Sequence, residues 1–247
     1  MSFDRRRFLT ATAGFAASPW LLGAAGKSDL HVGQMIHSGT WNPRPDAMRR
    51  LLWEVDQRTS IEVHLDVATL EVSDPKLFRH PFVYWAGTGG FAPFDEATVK
   101  RLRRYLTYGG TLLIDSADAE PGGAFDASVR RELQRILPDS GLARIPNEHV
   151  LFKSFYLVDH QGGRILKVPY IEGVMLEKRY AVIYCQNDLG GAWARDAFGR
   201  WEHPVTPGGE RQRELAFRLG INVVMYVLCL DYKADLVHVP FILKRRR

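Results

Sequence analysis

Three carboxylates and a serine occur together where an apolar run of the sequence ends. Asp115 and Asp118 flank Ser116, and Glu120 follows shortly after. Carboxylates grouped at a strand end can bind a divalent cation through their oxygens. Aspartates in a turn also cap it by accepting backbone hydrogen bonds. Capping is the preferred interpretation, and Asp115, Asp118 and Glu120 remain a candidate metal-ligand set.

Ser116 is also a candidate nucleophile, with His149 as the base that would accept its proton. A nucleophile elbow requires glycines on both sides of the serine, whereas Ser116 stands between Asp115 and Ala117, with Asp118 beyond. This departure argues strongly against glutaminase activity. A structural hydrogen bond explains His149 equally well.

A glycine-rich segment and a polar segment suggest a ligand site. The glycines precede a helix that begins at Asp95, so their backbone amides could bind an anion. Their spacing matches no phosphate-binding motif, and Asp95 would repel a phosphate, so a tight turn is preferred. Polar anchors for a ligand follow a later strand. The candidate ligand-binding residues are Gly87, Thr88, Gly89, Gly90, Asn187 and Asp188.

The remaining metal-binding and redox signals are weak. The 8 histidines show neither an HxH nor an HExxH spacing, and the 2 cysteines, Cys185 and Cys229, are too far apart for a CxxC motif. A disulfide between them and burial as two small apolar side chains both stay open. We predict no cofactor.

Alternating strand-like and helix-like segments predict an α/β fold with three layers, a mostly parallel sheet with helices on both faces. In such sheets, ligands bind beyond the carboxyl ends of the strands, where residues 87–90, 115–120 and 186–191 are expected to meet. The predicted strands cover 30–36, 61–65, 82–85, 111–114 and 181–184, and the predicted helices 46–58, 95–108, 127–136 and 210–230.

The first 25 residues have the features of a twin-arginine export signal. Arg5, Arg6 and Arg7 precede a mildly apolar run, and small residues before Gly26 suggest a cleavage site. We therefore expect a periplasmic protein, with a signal over 1–25 and a single domain over 26–247.

Charge argues against a nucleic-acid partner. Loss of the signal lowers the formal net charge from +5 to +3, and Lys244 to Arg247 alone contribute +4. The body of the protein is therefore nearly neutral, which disfavours nucleic-acid binding. The basic tail is either a solvated terminus or a peripheral contact with anionic lipid.

Four stretches carry a resemblance to a known family: LFRHPFVYWAGTGGF, LRRYLTYGGTLLIDSAD, HVLFKSFY and YCQNDLGGAW. Together they resemble the bacterial domain-of-unknown-function 4159 family. The resemblance implies a fold similar to class I glutamine amidotransferases and flavodoxins, and a place in the cell envelope. Some members look as if they are attached to membrane anchors or to von Willebrand factor A domains of the Bat type. It implies no activity.

Two functions are carried forward as hypotheses. The first is an exported, non-catalytic ligand-binding or protein-interaction module on an amidotransferase-like fold that lacks the nucleophilic cysteine. The alternative is a periplasmic hydrolase, with or without the assistance of a metal ion, that acts on carbohydrate or cell-wall material through Asp115, Asp118 and His149. The expected partners are the twin-arginine translocase during export and a Bat-like membrane assembly.

Overall fold

One seven-stranded sheet organises the computed structural model, which describes residues 30–158 and 162–244, with side chains up to residue 229. The strands are β1 (Val32–Met35), β2 (Ala68–Leu70), β3 (Phe82–Gly87), β4 (Thr111–Ser116), β5 (Ala143–Arg144), β6 (Glu172–Leu176) and β7 (Arg179–Cys185). Their order is β2-β1-β3-β4-β7-β6-β5. The first five strands in this order, β2-β1-β3-β4-β7, pair in parallel. Strands β6 and β5 continue the sheet in antiparallel pairs, so the predicted mostly parallel sheet is confirmed.

Helices connect most of the parallel strands. They are α1 (Ala47–Arg58), α2 (Glu96–Thr107), α3 (Ala124–Ile136), α4 (Leu189–Trp193) and α5 (Gly209–Lys244), with short 3-10 helices at Pro75–Arg79 and Val150–Lys153. Asp95 caps α2 by accepting a hydrogen bond from the Thr98 amide at 2.7 Å, which satisfies a donor that the helix leaves free. Over the described residues, no helix has the length and apolar character needed to span a bilayer.

Helices cover both faces of the sheet because its central strands are apolar on both sides. On β4, Leu113 packs into a core with α1, α4 and α5. Its neighbours Leu112 and Ile114 point the other way, into a core with α2 and α3. Side chains alternate between the faces of a strand, so a continuous apolar run must be covered on both. The predicted three layers are confirmed.

The prediction of a second strand over 61–65 is wrong. Only one bridge forms there, between Val63 and Leu30, and the edge strand β2 lies further along the chain. The alternating apolar residues Ile61, Val63, Leu65 and Val67 pack as partly buried side chains against the core. Alternation therefore marked a half-buried segment correctly, but that segment packs its apolar side with a single isolated bridge instead of a continuous ladder.

Three other segments differ from the predictions. Helix α3 begins at Ala124 rather than Ala127, and α5 continues to Lys244 rather than ending near Leu230. The predicted loop over 186–191 contains the start of α4, and β5 and β6 had not been predicted. Cys185 and Cys229 are both free thiols, with Cys185 buried and Cys229 exposed, so the expectation that both are buried is wrong for Cys229.

The predicted signal, residues 1–25, lies outside the described residues, and so do residues 245–247 of the basic tail. The expectations about export and about the tail therefore stay predictions.

Candidate functional site

Asp115 lies near the carboxyl end of β4, where its side chain is fully buried. One carboxylate oxygen accepts a hydrogen bond from the Leu189 amide at 2.8 Å. The other accepts from the Gly190 amide at 2.7 Å and from the Tyr84 hydroxyl at 2.7 Å. Three donors from β3 and from the first turn of α4 thus converge on one carboxylate, which fastens α4 to the centre of the sheet.

Burial, together with the nearby charge of Asp188, raises the pKa of Asp115 to about 6. The three hydrogen bonds act in the opposite direction because they stabilise the ionised form. The same burial, and the neighbouring carboxylate, raise the pKa of the Tyr84 phenol far above its ordinary value, so that Tyr84 remains a donor. The unusual titration of Asp115 therefore has a structural cause.

Asp188 follows β7 and is the second buried carboxylate of this edge. Its backbone adopts the left-handed conformation, with φ of 55°, and its side chain has no solvent exposure. One oxygen accepts from the Gly191 amide at 2.8 Å, and the other accepts from Arg44 Nη2 at 2.8 Å and from Arg164 Nε. Asp188 therefore caps α4 and pairs with two arginines.

Two glycines in the first turn of α4 make room for this arrangement. A Cβ atom on Gly190 would lie 2.7 Å from the Tyr84 hydroxyl and 3.2 Å from Arg44 Cγ. A Cβ atom on Gly191 would lie 2.7 Å from Arg164 Cδ. The aliphatic stems of both arginines therefore pack directly against the helix backbone.

Asn187 holds a neighbouring segment in place and is also fully buried. Its side-chain oxygen accepts from the Lys167 and Val168 amides at 2.9 and 3.1 Å, and its Nδ2 donates to the Val168 carbonyl at 2.9 Å. Backbone bonds from Arg164 to Asp188 and from Ile165 to Asn187 extend the contact. Asn187 thus fixes the segment that carries Arg164, and its polar atoms do not face solvent.

The Gly87 to Gly90 segment is a tight turn in which the Thr88 and Gly89 amides already have partners. The Thr88 amide donates to the Thr40 carbonyl, and the Gly89 amide donates to Asp118 at 2.8 Å. The Thr88 hydroxyl also donates to Asp118. Gly89 has a φ of 67°, which glycine adopts without strain. Asp118 thus occupies the place where an anion would sit, and only Gly90 of this segment is exposed.

Ser116 ends β4 on the face opposite Asp115, toward α3. It is 1 % exposed, and its hydroxyl has no hydrogen-bond partner among the described residues. No base is therefore in contact with this hydroxyl.

His149 lies beside the amino end of β7, far from the carboxyl end where Asp115 and Ser116 are found. Its Nδ1 accepts from the Leu151 amide at 3.2 Å, and its ring contacts Tyr180 edge-on, with centroids 4.8 Å apart. Tyr180 is near the amino end of β7, whereas Cys185, which pairs with Asp115, is its last residue. Five residues of strand separate the two positions by about 16 Å. Burial, followed by the charge of Lys153, lowers the pKa of His149.

The proposed metal ligands point to different places. Asp115 faces α4, Asp118 faces the glycine turn, and the exposed Glu120 contributes its backbone carbonyl to a turn with Gly123. Among the side chains that the structure describes, in residues 30–158 and 162–229, no three His, Cys, Asp or Glu residues lie close enough to hold a metal ion. Of the sequence-predicted site residues, the structure brings together Asp115 with Asp188 and Asp118 with the glycine turn.

A family model for a domain of unknown function, DUF4159, matches residues 30–228. The chain belongs to the DUF4159 family. The match includes Asp115 and Asp188 with all of their side-chain partners, so the bonded network lies within the DUF4159 domain. Comparison with curated proteins gives no match.

Three residues of the site were not predicted from the sequence. Tyr84 appeared to be one apolar residue of a buried strand, and Arg44 and Arg164 lie in loops without a motif. Arg44 is 144 residues from Asp188 along the chain, so no local pattern connects them. The local signal that could have indicated these partners was Asp188, which stands shortly before two glycines. A carboxylate that becomes buried requires a cationic or hydrogen-bonding partner, so burial of Asp188 would have predicted one.

Proposed function

We propose that this domain is a non-catalytic binding module whose fold is amidotransferase-like but lacks the catalytic nucleophile. The observation that carries the proposal is Asp115, whose two oxygens are occupied by three internal donors. A carboxylate held in this way supports the fold and is not free to take a substrate proton or a metal ion.

The surroundings of Ser116 and His149 also favour a non-catalytic role over the hydrolase alternative. Acyl transfer by a serine requires a base within hydrogen-bond reach. The Ser116 hydroxyl has no partner among the described residues, and His149 packs near the amino end of β7, away from the carboxyl end of β4 that carries Ser116. The hydrolase alternative therefore has no assembled set of catalytic groups to support it.

Turnover assays test the non-catalytic role. We expect the purified protein to show no glutaminase or esterase turnover above that of Ser116→Ala. Asp118→Asn provides a second comparison, because it changes a carboxylate of the same edge and leaves Ser116 intact. Clear turnover in the wild type that Ser116→Ala abolishes would overturn the proposal.

Export belongs to the same proposal and rests on the sequence of residues 1–25. The domain would work in the periplasm after passing the twin-arginine translocase. In a cell-fractionation experiment, Arg5→Lys with Arg6→Lys should leave folded protein in the cytoplasm, whereas the unaltered chain should reach the periplasm. Equal amounts of periplasmic protein from both chains would contradict this route.

A partner in a Bat-like membrane assembly is the expected context for such a module. Co-purification from membranes, with and without the basic tail Lys244 to Arg247, tests that context. If a membrane partner binds the domain, both chains should retain it. If anionic lipid binds the tail, only the longer chain should remain with the membrane fraction.

A further inference from the structure

Two arginines share one buried carboxylate at the carboxyl edge of the sheet. Arg44, in the loop after β1, and Arg164, in the loop before β6, both bond the same oxygen of Asp188. Asp188 neutralises only one of the two positive charges. Asp115 and Glu202 are the other carboxylates whose charge acts on Arg44. The two guanidinium groups lie where open parallel sheets bind their ligands.

Both guanidinium groups keep hydrogen-bond donors that Asp188 does not use. Arg164 engages Asp188 through Nε, and its two terminal nitrogens have no partner among the described residues. Arg44 directs Nε and Nη2 to Asp188, and its Nη1 makes only a long contact of 3.4 Å with the Pro43 carbonyl. The Arg44 and Arg164 side chains are 16 % and 19 % exposed, so solvent reaches part of each.

A histidine close to the two arginines contributes a further polar atom. His203 Nε2 is buried and has no hydrogen-bond partner within the described residues, and Glu202 Oε1 lies 3.6 Å from it. Burial, followed by the positive charge of Arg44, lowers the pKa of His203. Arg44 and Arg164 thus act on this imidazole from one side of the charge balance, and Glu202 and Asp188 act on it from the other.

The two arginines are rigidly placed, which distinguishes them from mobile surface cations. Their aliphatic stems pack against Gly190 and Gly191 of α4, and hydrogen bonds to Asp188 fix the orientation of both guanidinium groups. The Arg164 segment is further held by α5, because Gln212 Nε2 donates to the Gly163 carbonyl at 2.7 Å and to the Arg164 carbonyl at 3.2 Å. Preorganised guanidinium groups lose little conformational entropy on binding an anion.

We infer that Arg44 and Arg164 bind an oxyanion, the carboxylate or phosphate group of a soluble small molecule. A guanidinium edge matches both groups because each presents two oxygens at the spacing of its N–H donors. Asp188 is then a positioning residue that orients the two cations. This inference rests on the proposed binding function and names the chemistry of its ligand.

Calorimetric titration of the full protein with inorganic phosphate and, separately, with succinate tests the inference at constant ionic strength. The variant Arg164→Lys keeps a positive charge beside Asp188 but loses the planar guanidinium edge. We expect it to weaken binding of the preferred anion by at least about tenfold. Arg44→Lys should have the same effect, and it serves in place of Arg164→Lys if that variant does not fold.

Arg130→Lys is the matched control. Arg130 also pairs with buried carboxylates, Asp126 and Glu172, but on the α3 side of the sheet. The variant Arg130→Lys should leave anion binding unchanged. Phosphate binding that depends on Arg164 would indicate a phosphorylated ligand, and succinate binding that depends on it would indicate a carboxylate.

Two outcomes would overturn the inference: no saturable binding of either anion at millimolar concentration, or equal affinity in the wild type and Arg164→Lys. Neither outcome affects the turnover assay. The non-catalytic proposal would stand if anion binding failed, and turnover dependent on Ser116 would overturn that proposal without bearing on the arginines.

Discussion

Asp115 and Asp188 occupy positions where an α/β enzyme would carry catalytic groups, yet their partners are internal. Asp115 accepts two backbone amides and a phenol, and Asp188 accepts a backbone amide and two guanidinium groups. Removing one partner from such a set leaves a buried polar group unsatisfied, which costs more than the bond itself contributes. Substitutions at these residues therefore act first on stability.

Asp115→Asn should lower the free energy of unfolding by about 1–3 kcal/mol at pH 5. An asparagine has one acceptor oxygen, so its NH₂ group must face either the Leu189 or the Gly190 amide, both of which are donors. Urea denaturation followed by circular dichroism measures the loss. Asp95→Asn is the control, because this exposed cap bonds only one amide and asparagine caps equally well; it should change stability by less than about 0.5 kcal/mol.

The pKa of Asp115, raised to about 6 in the folded protein, predicts a pH dependence. A carboxyl group whose folded pKa exceeds its unfolded value stabilises the fold at low pH, and this contribution is lost as pH rises through the folded pKa. Between pH 5 and pH 7 the free energy of unfolding of the wild type should fall by about 1 kcal/mol through Asp115, and that of Asp115→Asn should not show this fall.

The stability gap between the two proteins should therefore narrow as pH rises. Using the difference removes the contributions of His37, His149 and His203, whose lowered pKa values act on both proteins alike. A gap that stays constant or widens from pH 5 to pH 7 would show that Asp115 does not titrate in this range.

At the scale of elements, the short helix α4 connects the sheet to α1 and α5, and its glycines determine how closely it packs. Alanine usually stabilises a helix relative to glycine by about 1 kcal/mol. Gly190→Ala should instead destabilise the domain by about 1–3 kcal/mol, because its Cβ atom would meet the Tyr84 hydroxyl and Arg44.

Thermal unfolding of Gly190→Ala, compared with that of Gly141→Ala, separates the steric effect of the new Cβ atom from the general effect of replacing glycine by alanine. A Cβ atom on Gly141 would meet nothing within 4 Å apart from its own chain neighbours, so alanine there should cause no loss. Stabilisation by Gly190→Ala would mean that helix propensity outweighs the contact with Tyr84 and that α4 can move away from the sheet.

Elements with a strong periodic pattern were predictable from the sequence, and those shaped by distant contacts were not. The apolar runs of β3 and β4 and the amphipathic helix α2 with its Asp95 cap follow from local chemistry. Helix α4 begins with Leu-Gly-Gly, which is typical of a turn until Asp115 supplies acceptors for its amides. The site was predictable at Asp115 and Asp188, but the arginines that complete it come from distant loops.

At the scale of the whole molecule, α5 joins the sheet to the loops that surround the candidate site. Its apolar face from Ala216 to Val227 lies in the core with α1 and α4. Asn222, fully buried, accepts from the Phe155 and Tyr156 amides at 3.1 and 2.8 Å and so holds the segment after the 3-10 helix Val150–Lys153. Gln212 holds the segment of Arg164 from the first turns of the same helix.

A chain that ends after Leu228 should therefore fold, because it keeps every core residue of α5 that the described side chains define. We expect a cooperative thermal transition within about 4 °C of the full protein. A chain that ends after Gly220 should not fold. It loses Ile221, Val223, Val224, Tyr226 and Val227, and each fully buried apolar side chain contributes about 1.5–3 kcal/mol against a typical total stability of about 5–15 kcal/mol. If the chain ending after Leu228 lacks a cooperative transition, residues 229–247 belong to the folded unit, and the family match at 30–228 does not mark its limit.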